Sequence, residues 1–168
     1  MLENRLKYMV EPGVPDLGKL RAEGLYPSEE RMAAGPVAVL ECMQQIPCNP
    51  CEQACPHGFI RIGDDITEMP RLDPACTGCG LCVPSCPGLC IFILNGSYSE
   101  TEATVTMPYE LLPLPREGEA VDALDRQGGR VCAGRVVKLR ALGAAELCRS
   151  LTVAIPKKFV HDVRHIRR

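Results

Sequence analysis

The stretch from Cys76 to Pro87, CTGCGLCVPSCP, decides how this chain can fold. Its four cysteines follow the spacing C-x2-C-x2-C-x3-C-P. Part of the same pattern stands 31 residues earlier, at residues 48–56, CNPCEQACP. Each copy is followed by a short apolar run. A duplication of this kind predicts two structural halves related by a pseudo-twofold axis.

The cysteine spacing indicates the metal chemistry. Three thiolates separated by two residues each can bind three corners of an iron–sulfur cube. The fourth, which precedes a proline, reaches a second cube. Structural zinc sites instead use two well-separated cysteine pairs, so the pattern favours two [4Fe-4S] clusters over zinc. We expect Gly78 and Gly80, which lack Cβ atoms, to let the backbone approach a cluster and donate N–H groups to its sulfurs.

The first copy of the pattern is incomplete. The repeat offset predicts a ligand at position 45, which is Gln45, and the preceding cysteine is Cys42. Either a longer loop brings Cys42 to the open iron, or this cluster has three irons, or its fourth ligand is not a cysteine; we favour Cys42. If the last cysteine of each motif copy binds the cluster of the other copy, the cysteines form two cofactor-binding sets. These sets are Cys42, Cys48, Cys51 and Cys86 for the first cluster and Cys76, Cys79, Cys82 and Cys55 for the second.

Composition agrees with a metal-centred fold. The chain has 168 residues, of which 46% are hydrophobic but only 4% aromatic, and 11 are cysteines. Nine of these cysteines lie between Cys42 and Cys90. The first residues carry charges at Glu3 and Arg5 instead of the apolar region of an export signal. Clustered thiols without such a signal predict metal ligands in a reducing compartment, the cytoplasm. No apolar run approaches the roughly 18 residues of a membrane span.

Charge and patterning predict three parts. Residues 1–115 carry 7 basic and 15 acidic side chains, while residues 116–168 carry 12 and 6. We expect an N-terminal extension over residues 1–34, with a helix start near Ser28 and another helical pattern before Pro12. The metal domain spans residues 35–98. In residues 99–168, apolar and polar residues alternate as in β-strands, which predicts a small β domain of four to six strands with a turn at residues 127–129. The chain is expected to end in a helix from Pro156.

The remaining metal-ligating side chains have simpler interpretations. Cys90, Cys132 and Cys148 are expected to be small buried hydrophobic residues. We interpret His57 as a surface residue. His161 and His165 have the i, i+4 spacing of a helical metal site, but the surrounding arginines favour a solvated or partner-facing helix. Without interleaved aromatics, that basic stretch does not predict nucleic-acid binding.

Residues 42–95 resemble two-cluster ferredoxins. With residues 27–31, 35–39, 46–51 and 73–88, the chain is similar to the small iron–sulfur subunits of flavin-dependent amino- and imino-acid dehydrogenases, of the proline, hydroxyproline or opine type. The resemblance implies an α+β fold, a ferredoxin-like 2[4Fe-4S] domain followed by a small β-barrel-like domain with a C-terminal helix. It implies that residues 36–41 pair with 89–94, and 59–62 with 66–69. It also implies FAD on a partner subunit of a hetero-oligomeric complex.

The sequence contains no recognisable catalytic motif, so we expect an electron-transfer subunit instead of a self-contained enzyme. Its clusters would accept electrons from the flavin singly and relay them to another redox centre. One alternative is a freely diffusing ferredoxin, although the long basic C-terminal part favours a fixed subunit. A second alternative is a regulatory or structural iron–sulfur protein.

Overall fold

A seven-stranded antiparallel sheet dominates the computed structural model, which describes residues 7–11, 13–43, 46–141 and 147–168. The strands are β1 (Met9–Glu11), β2 (Val14–Pro15), β3 (Val37–Leu40), β4 (Ile60–Arg61), β5 (Arg71–Leu72), β6 (Ile91–Asn95), β7 (Glu102–Tyr109), β8 (Ala120–Leu124), β9 (Arg130–Arg140), β10 (Arg149–Pro156) and β11 (His165–Arg167). The helices are short: α1 (Leu17–Ala22), α2 (Glu29–Ala33), α3 (Pro50–Ala54) and a 3-10 turn at Lys157–Phe159.

The large sheet has the strand order β11-β8-β9-β10-β7-β6-β3. Its register places Val37, Leu94, Val105, Val153 and Val136 side by side on five neighbouring strands. Each of these side chains is 1% exposed or less. Because alternate residues of a strand point to opposite faces, this row forms the centre of the inner core.

The sheet curls until its two edge strands approach each other. Glu41 directly follows β3, and Arg164 directly precedes β11. The Arg164 Nε donates to Glu41 Oε1 at 2.9 Å. Arg126, in the β8–β9 turn, donates to both oxygens of Glu41, at 2.8 and 2.6 Å. A buried ion-pair network therefore connects the two ends of the sheet.

The cysteine-rich segment packs on the outer face of β3 and β6. Ala38, Leu40 and Ile93 contact a second core cluster that contains Ile60 and Val83. Three thiols, those of Cys51, Cys82 and Cys86, belong to the same cluster. The cysteine-rich loops thus lie on one side of the sheet, and the inner core lies on the other.

The predicted pairing of residues 36–41 with 89–94 is confirmed, since Val37 pairs with Leu94 and Leu40 with Ile91. The predicted pairing of 59–62 with 66–69 is wrong, because Ile60 pairs with Leu72. The intervening residues form a turn in which the Asp65 carboxylate accepts from Thr67, and this turn leaves residues 66–69 outside the ladder.

Hydrogen bonding crosses the predicted boundary between residues 98 and 99. Strand β6 pairs with β3 on one side and with β7 on the other, so one sheet contains strands of both parts. The turn predicted at residues 127–129 is confirmed, since it connects β8 to β9. The predicted C-terminal helix is wrong beyond its first turn. Residues His165–Arg167 extend the sheet by pairing with β8, because Ile166 has a buried site beside Ala123.

The N-terminal part is integrated into the inner core through Leu20, Tyr26 and Met32. The helix start predicted near Ser28 is confirmed, since the Ser28 side chain caps α2 by accepting from the Arg31 N–H. The helical pattern predicted before Pro12 is wrong where the structure describes it, because Met9–Glu11 is a strand. Leu2 and Leu6 lie outside the described residues. Within the described ranges, no helix has the length and apolar character needed to cross a membrane.

Candidate metal centre

A first set of thiols surrounds a cavity between the end of β3 and the turn before β6. The predicted ligands Cys42, Cys48, Cys51 and Cys86 all line it, and so does Cys90. Cys42 follows β3, Cys51 lies in α3, and Cys86 lies in the loop that leads to β6. The structure therefore brings the four predicted residues of the first set together.

A second cavity lies between the end of α3 and the loop that holds the full motif. The predicted ligands Cys55, Cys76, Cys79 and Cys82 line it. Cys55 is the C-cap residue of α3, which also carries Cys51 of the first set. Helix α3 and its C-cap therefore place one cysteine at each cavity. This agrees with the predicted assignment, in which Cys51 and Cys55 belong to different clusters.

The thiols surround each cavity without meeting at one point. Among the described residues, no three Cys, His, Asp or Glu side chains are close enough together to hold a single metal ion. A tetrahedral zinc site needs four donors at about 2.0 to 2.3 Å from one atom. A cubane, by contrast, binds each thiolate at a different iron corner.

Backbone N–H groups point at two of these sulfurs. The Gly78 N–H donates to Cys76 Sγ at 3.4 Å, and the Phe59 N–H donates to Cys55 Sγ at 3.2 Å. Donors of this kind stabilise negative charge on a ligand sulfur. The Gly78 N–H is thus directed at the sulfur of a predicted ligand.

Burial controls the acidity of the innermost thiols. Desolvation raises the pKa of Cys51 to about 11 and that of Cys82 to about 12. Cys55 shows the opposite result, because backbone N–H groups of residues 57–60 outweigh its desolvation and lower its pKa. Metal ligands must be deprotonated, so metal binding at the buried thiols has to displace protons.

Cys90 is a neighbour of the first set that the sequence interpretation missed. Its sulfur lies 3.5 Å from Cys86 Sγ. Hydrogen bonds with Cys42 and Cys86 raise the pKa of Cys90. Hydrogen bonding from Cys90 lowers the pKa of Cys86 to about 6 and also lowers that of Cys42. Cys90 is therefore arranged as a protonated donor to two predicted ligands; its position four residues after Cys86 was the signal available in the sequence.

Arg31 positions the loop of the second set. Its guanidinium donates to the carbonyl oxygens of Pro74, Gly35, Pro36 and Cys76. These bonds hold α2 against the backbone around the predicted ligand Cys76. No sequence motif distinguishes this arginine, because its partners are backbone atoms that only the fold brings together.

The other candidate residues lie elsewhere or have different neighbours. His57 is exposed and stacks on Phe59 beside the second cavity. His161 contacts Glu29 and Tyr26, whereas His165 stacks on Tyr109, so the i, i+4 site does not form. Cys132 is buried and Cys148 is half-buried; neither lines the two thiol cavities.

No family model matches the chain, and no solved structure matches it.

Proposed function

We propose that this protein is an electron-transfer subunit that holds two [4Fe-4S] clusters and serves a flavin-dependent dehydrogenase. The observation that carries the proposal is the division of eight cysteines between two separate cavities, with the fourth member of each set crossed over from the other motif copy. When bound, the clusters supply one-electron transfer and nothing else.

The polypeptide contributes the environment of the clusters. Apolar residues of β3 and β6 separate the two thiol sets from the inner core, and N–H donors approach the sulfurs of Cys55 and Cys76. The shared helix α3 keeps the two sets adjacent. Such closeness favours passage of an electron from one set to the other.

The dehydrogenase context rests on the sequence resemblance to small iron–sulfur subunits of amino- and imino-acid dehydrogenases. In this proposal FAD resides on a partner subunit, and the complex works in the cytoplasm. A free ferredoxin is the second candidate. The seven-stranded sheet favours the subunit, because it adds a large folded surface that cluster binding does not require.

Anaerobic purification followed by metal analysis and electron paramagnetic resonance tests the proposal. We expect about eight irons per chain, an equal amount of acid-labile sulfide, and two reducible four-iron signals. Colourless protein, or stoichiometric zinc, would overturn it. Isolation of the native protein in a stable complex with FAD would support the subunit over the free carrier.

The same spectra test the fourth ligand of the first cluster. We expect Cys42→Ser to convert one four-iron signal into a three-iron signal, because the open corner loses its thiolate. Cys132→Ala is the matched control and should keep its full iron content. An unchanged spectrum of Cys42→Ser would show that another group completes this site.

A further inference from the structure

The outer face of the large sheet changes from apolar to basic beside the second thiol set. The register places Ala38, Ile93, Thr106, Thr152 and Lys138 side by side on five neighbouring strands. All of these residues except Lys138 are next in sequence to a member of the buried row that begins at Val37, so their side chains lie on the opposite face of the sheet. At the apolar end of this outer row, Ala38 and Ile93 pack against the cysteine-rich segment. At its other end, Lys138 is exposed.

The loop that holds Cys79 rests on this row. An ideal Cβ at Gly80 would be 3.8 Å from Ile93 Cγ1, so the loop backbone lies directly over β6. Cys79 is the exposed member of the predicted ligands. The second cluster would therefore come closest to solvent at the place where the loop meets the sheet.

A depression of about 180 Å³ lies at this junction. Its walls include Cys79, Thr106, Thr152, Lys138 and Arg140. Among the residues that line it there are two cations and no carboxylate. We call this depression the basic port. In the described part of the chain, neither Lys138 nor Arg140 takes part in a salt bridge.

We propose that the basic port is where the second cluster exchanges electrons with a redox partner protein, which docks through an acidic face. Complementary charge supports this choice of partner, because a positive patch attracts and orients a carboxylate-rich surface. The position supports it as well, since electron exchange requires the partner to approach an exposed ligand. This inference rests on the proposed electron-transfer function.

Two cobalt(III) complexes of opposite charge test the polarity of the port. The protein is reduced with dithionite, freed of excess reductant, and mixed in a stopped-flow instrument with tris(oxalato)cobaltate(III) or with hexaamminecobalt(III). Each complex takes one electron and becomes cobalt(II), while one reduced cluster is oxidised. We expect the trianion, tris(oxalato)cobaltate(III), to oxidise the protein faster than its reduction potential alone predicts. This excess rate should fall as salt is added.

The variant Lys138→Glu/Arg140→Glu should lower the ratio of the trianion rate to the trication rate by roughly tenfold or more. The control Lys19→Glu/Lys158→Glu makes the same change in net charge at exposed lysines that do not line the port, and its ratio should stay near that of the wild type. An unchanged ratio in the port variant, with both clusters present, would overturn the inference but leave the proposed function intact. Absence of clusters would instead refute the function.

Competition distinguishes a protein partner from a nucleic acid. At low salt we expect polyglutamate to slow oxidation of the wild type by the trianion and to have little effect on the port variant. Stronger inhibition by duplex DNA at equal charge concentration would overturn the acidic protein as the occupant.

Discussion

At the scale of single residues, Cys90 distinguishes the two thiol sets. The 31-residue repeat places Phe59 at the corresponding position of the other copy, so the second set has no equivalent thiol. The 3.5 Å separation of the Cys86 and Cys90 sulfurs is a hydrogen-bond distance. Two thiols this close cannot both serve well-separated corners of one cube, so we assign Cys86 as ligand and Cys90 as donor.

We predict that Cys90→Ala shifts the midpoint potential of one cluster to a more negative value. The reason is that a hydrogen bond to a ligand sulfur stabilises the additional negative charge of the reduced state. A potentiometric titration followed by electron paramagnetic resonance measures both clusters in the same sample. The other cluster, whose predicted ligands line a cavity that Cys90 does not line, is the internal reference.

Cys90→Ser is the matched variant, because its hydroxyl can still donate and should preserve most of the wild-type potential. Identical potentials in the alanine variant and the wild type would contradict the donor role. Loss of one cluster in the alanine variant would instead identify Cys90 as a ligand.

At the scale of the elements, Gly78 controls how the loop of the second set meets the start of β3. Its φ of +64° lies in the left-handed region. A Cβ there would be 2.6 Å from Pro36 Cβ and 2.7 Å from the Pro36 carbonyl carbon. Both the conformation and the space therefore require glycine. Gly80 has a similar φ of +81°, but its nearest neighbour would be 3.8 Å away.

We predict that Gly78→Ala lowers the occupancy of the second cluster, since the loop must move away from Pro36 and take Cys76 and Cys79 with it. Gly80→Ala should retain more of the second cluster than Gly78→Ala, because its Cβ meets no protein atom closer than 3.8 Å and the left-handed strain is about 1–2 kcal/mol. Iron content and the two four-iron signals provide the measurement. Equal retention of iron in both variants would show that the contact with Pro36 is not what positions the loop.

The elements also show what the sequence could predict. The β3–β6 ladder was predictable from the ferredoxin resemblance, because β3 directly precedes the first cysteine motif and β6 directly follows the second. The β4–β5 register was not, since it depends on how the Asp65 turn closes. Val163 and Ile166 have the spacing of one helical face, which is why the sequence predicts a helix there. Residues His165–Arg167 form a strand instead, because they pair with the edge of β8. Likewise, nothing local in the sequence places Lys138 beside the Cys79 loop.

At the scale of the whole molecule, opposite charges from the two parts of the sequence meet inside the fold. Glu41 belongs to the acidic part, whereas Arg126 and Arg164 belong to the basic part. Arg164 also donates to Tyr26 Oη at 3.0 Å and lies over the Phe92 ring at 5.1 Å. Part of the charge asymmetry between the two parts of the sequence thus joins the cysteine-rich segment to the far edge of the sheet.

The network around Glu41 makes stability depend on pH in a defined direction. Burial raises the pKa of Glu41, but hydrogen bonds from Arg126 and the charges of both arginines outweigh it, so the pKa falls below its usual 4.5. The ionised carboxylate therefore contributes its full stabilisation above pH 4.5. That contribution is lost as the pH falls through the lowered folded-state pKa.

We predict that Glu41→Gln lowers the free energy of unfolding at neutral pH by about 3–5 kcal/mol, because it leaves the buried guanidinium of Arg164 and the partly buried one of Arg126 without their counter-ion. Anaerobic urea unfolding followed by circular dichroism measures the difference from the wild type. Asp122→Asn is the control, since it removes a carboxylate that also contacts two arginines but is 34% exposed, and it should cost much less. When the measured iron content of both proteins is equal, the difference between wild type and Glu41→Gln isolates the carboxylate. That difference should narrow below pH 4.5; a gap that stays constant into acid would show that the charge of Glu41 does not hold the sheet ends together.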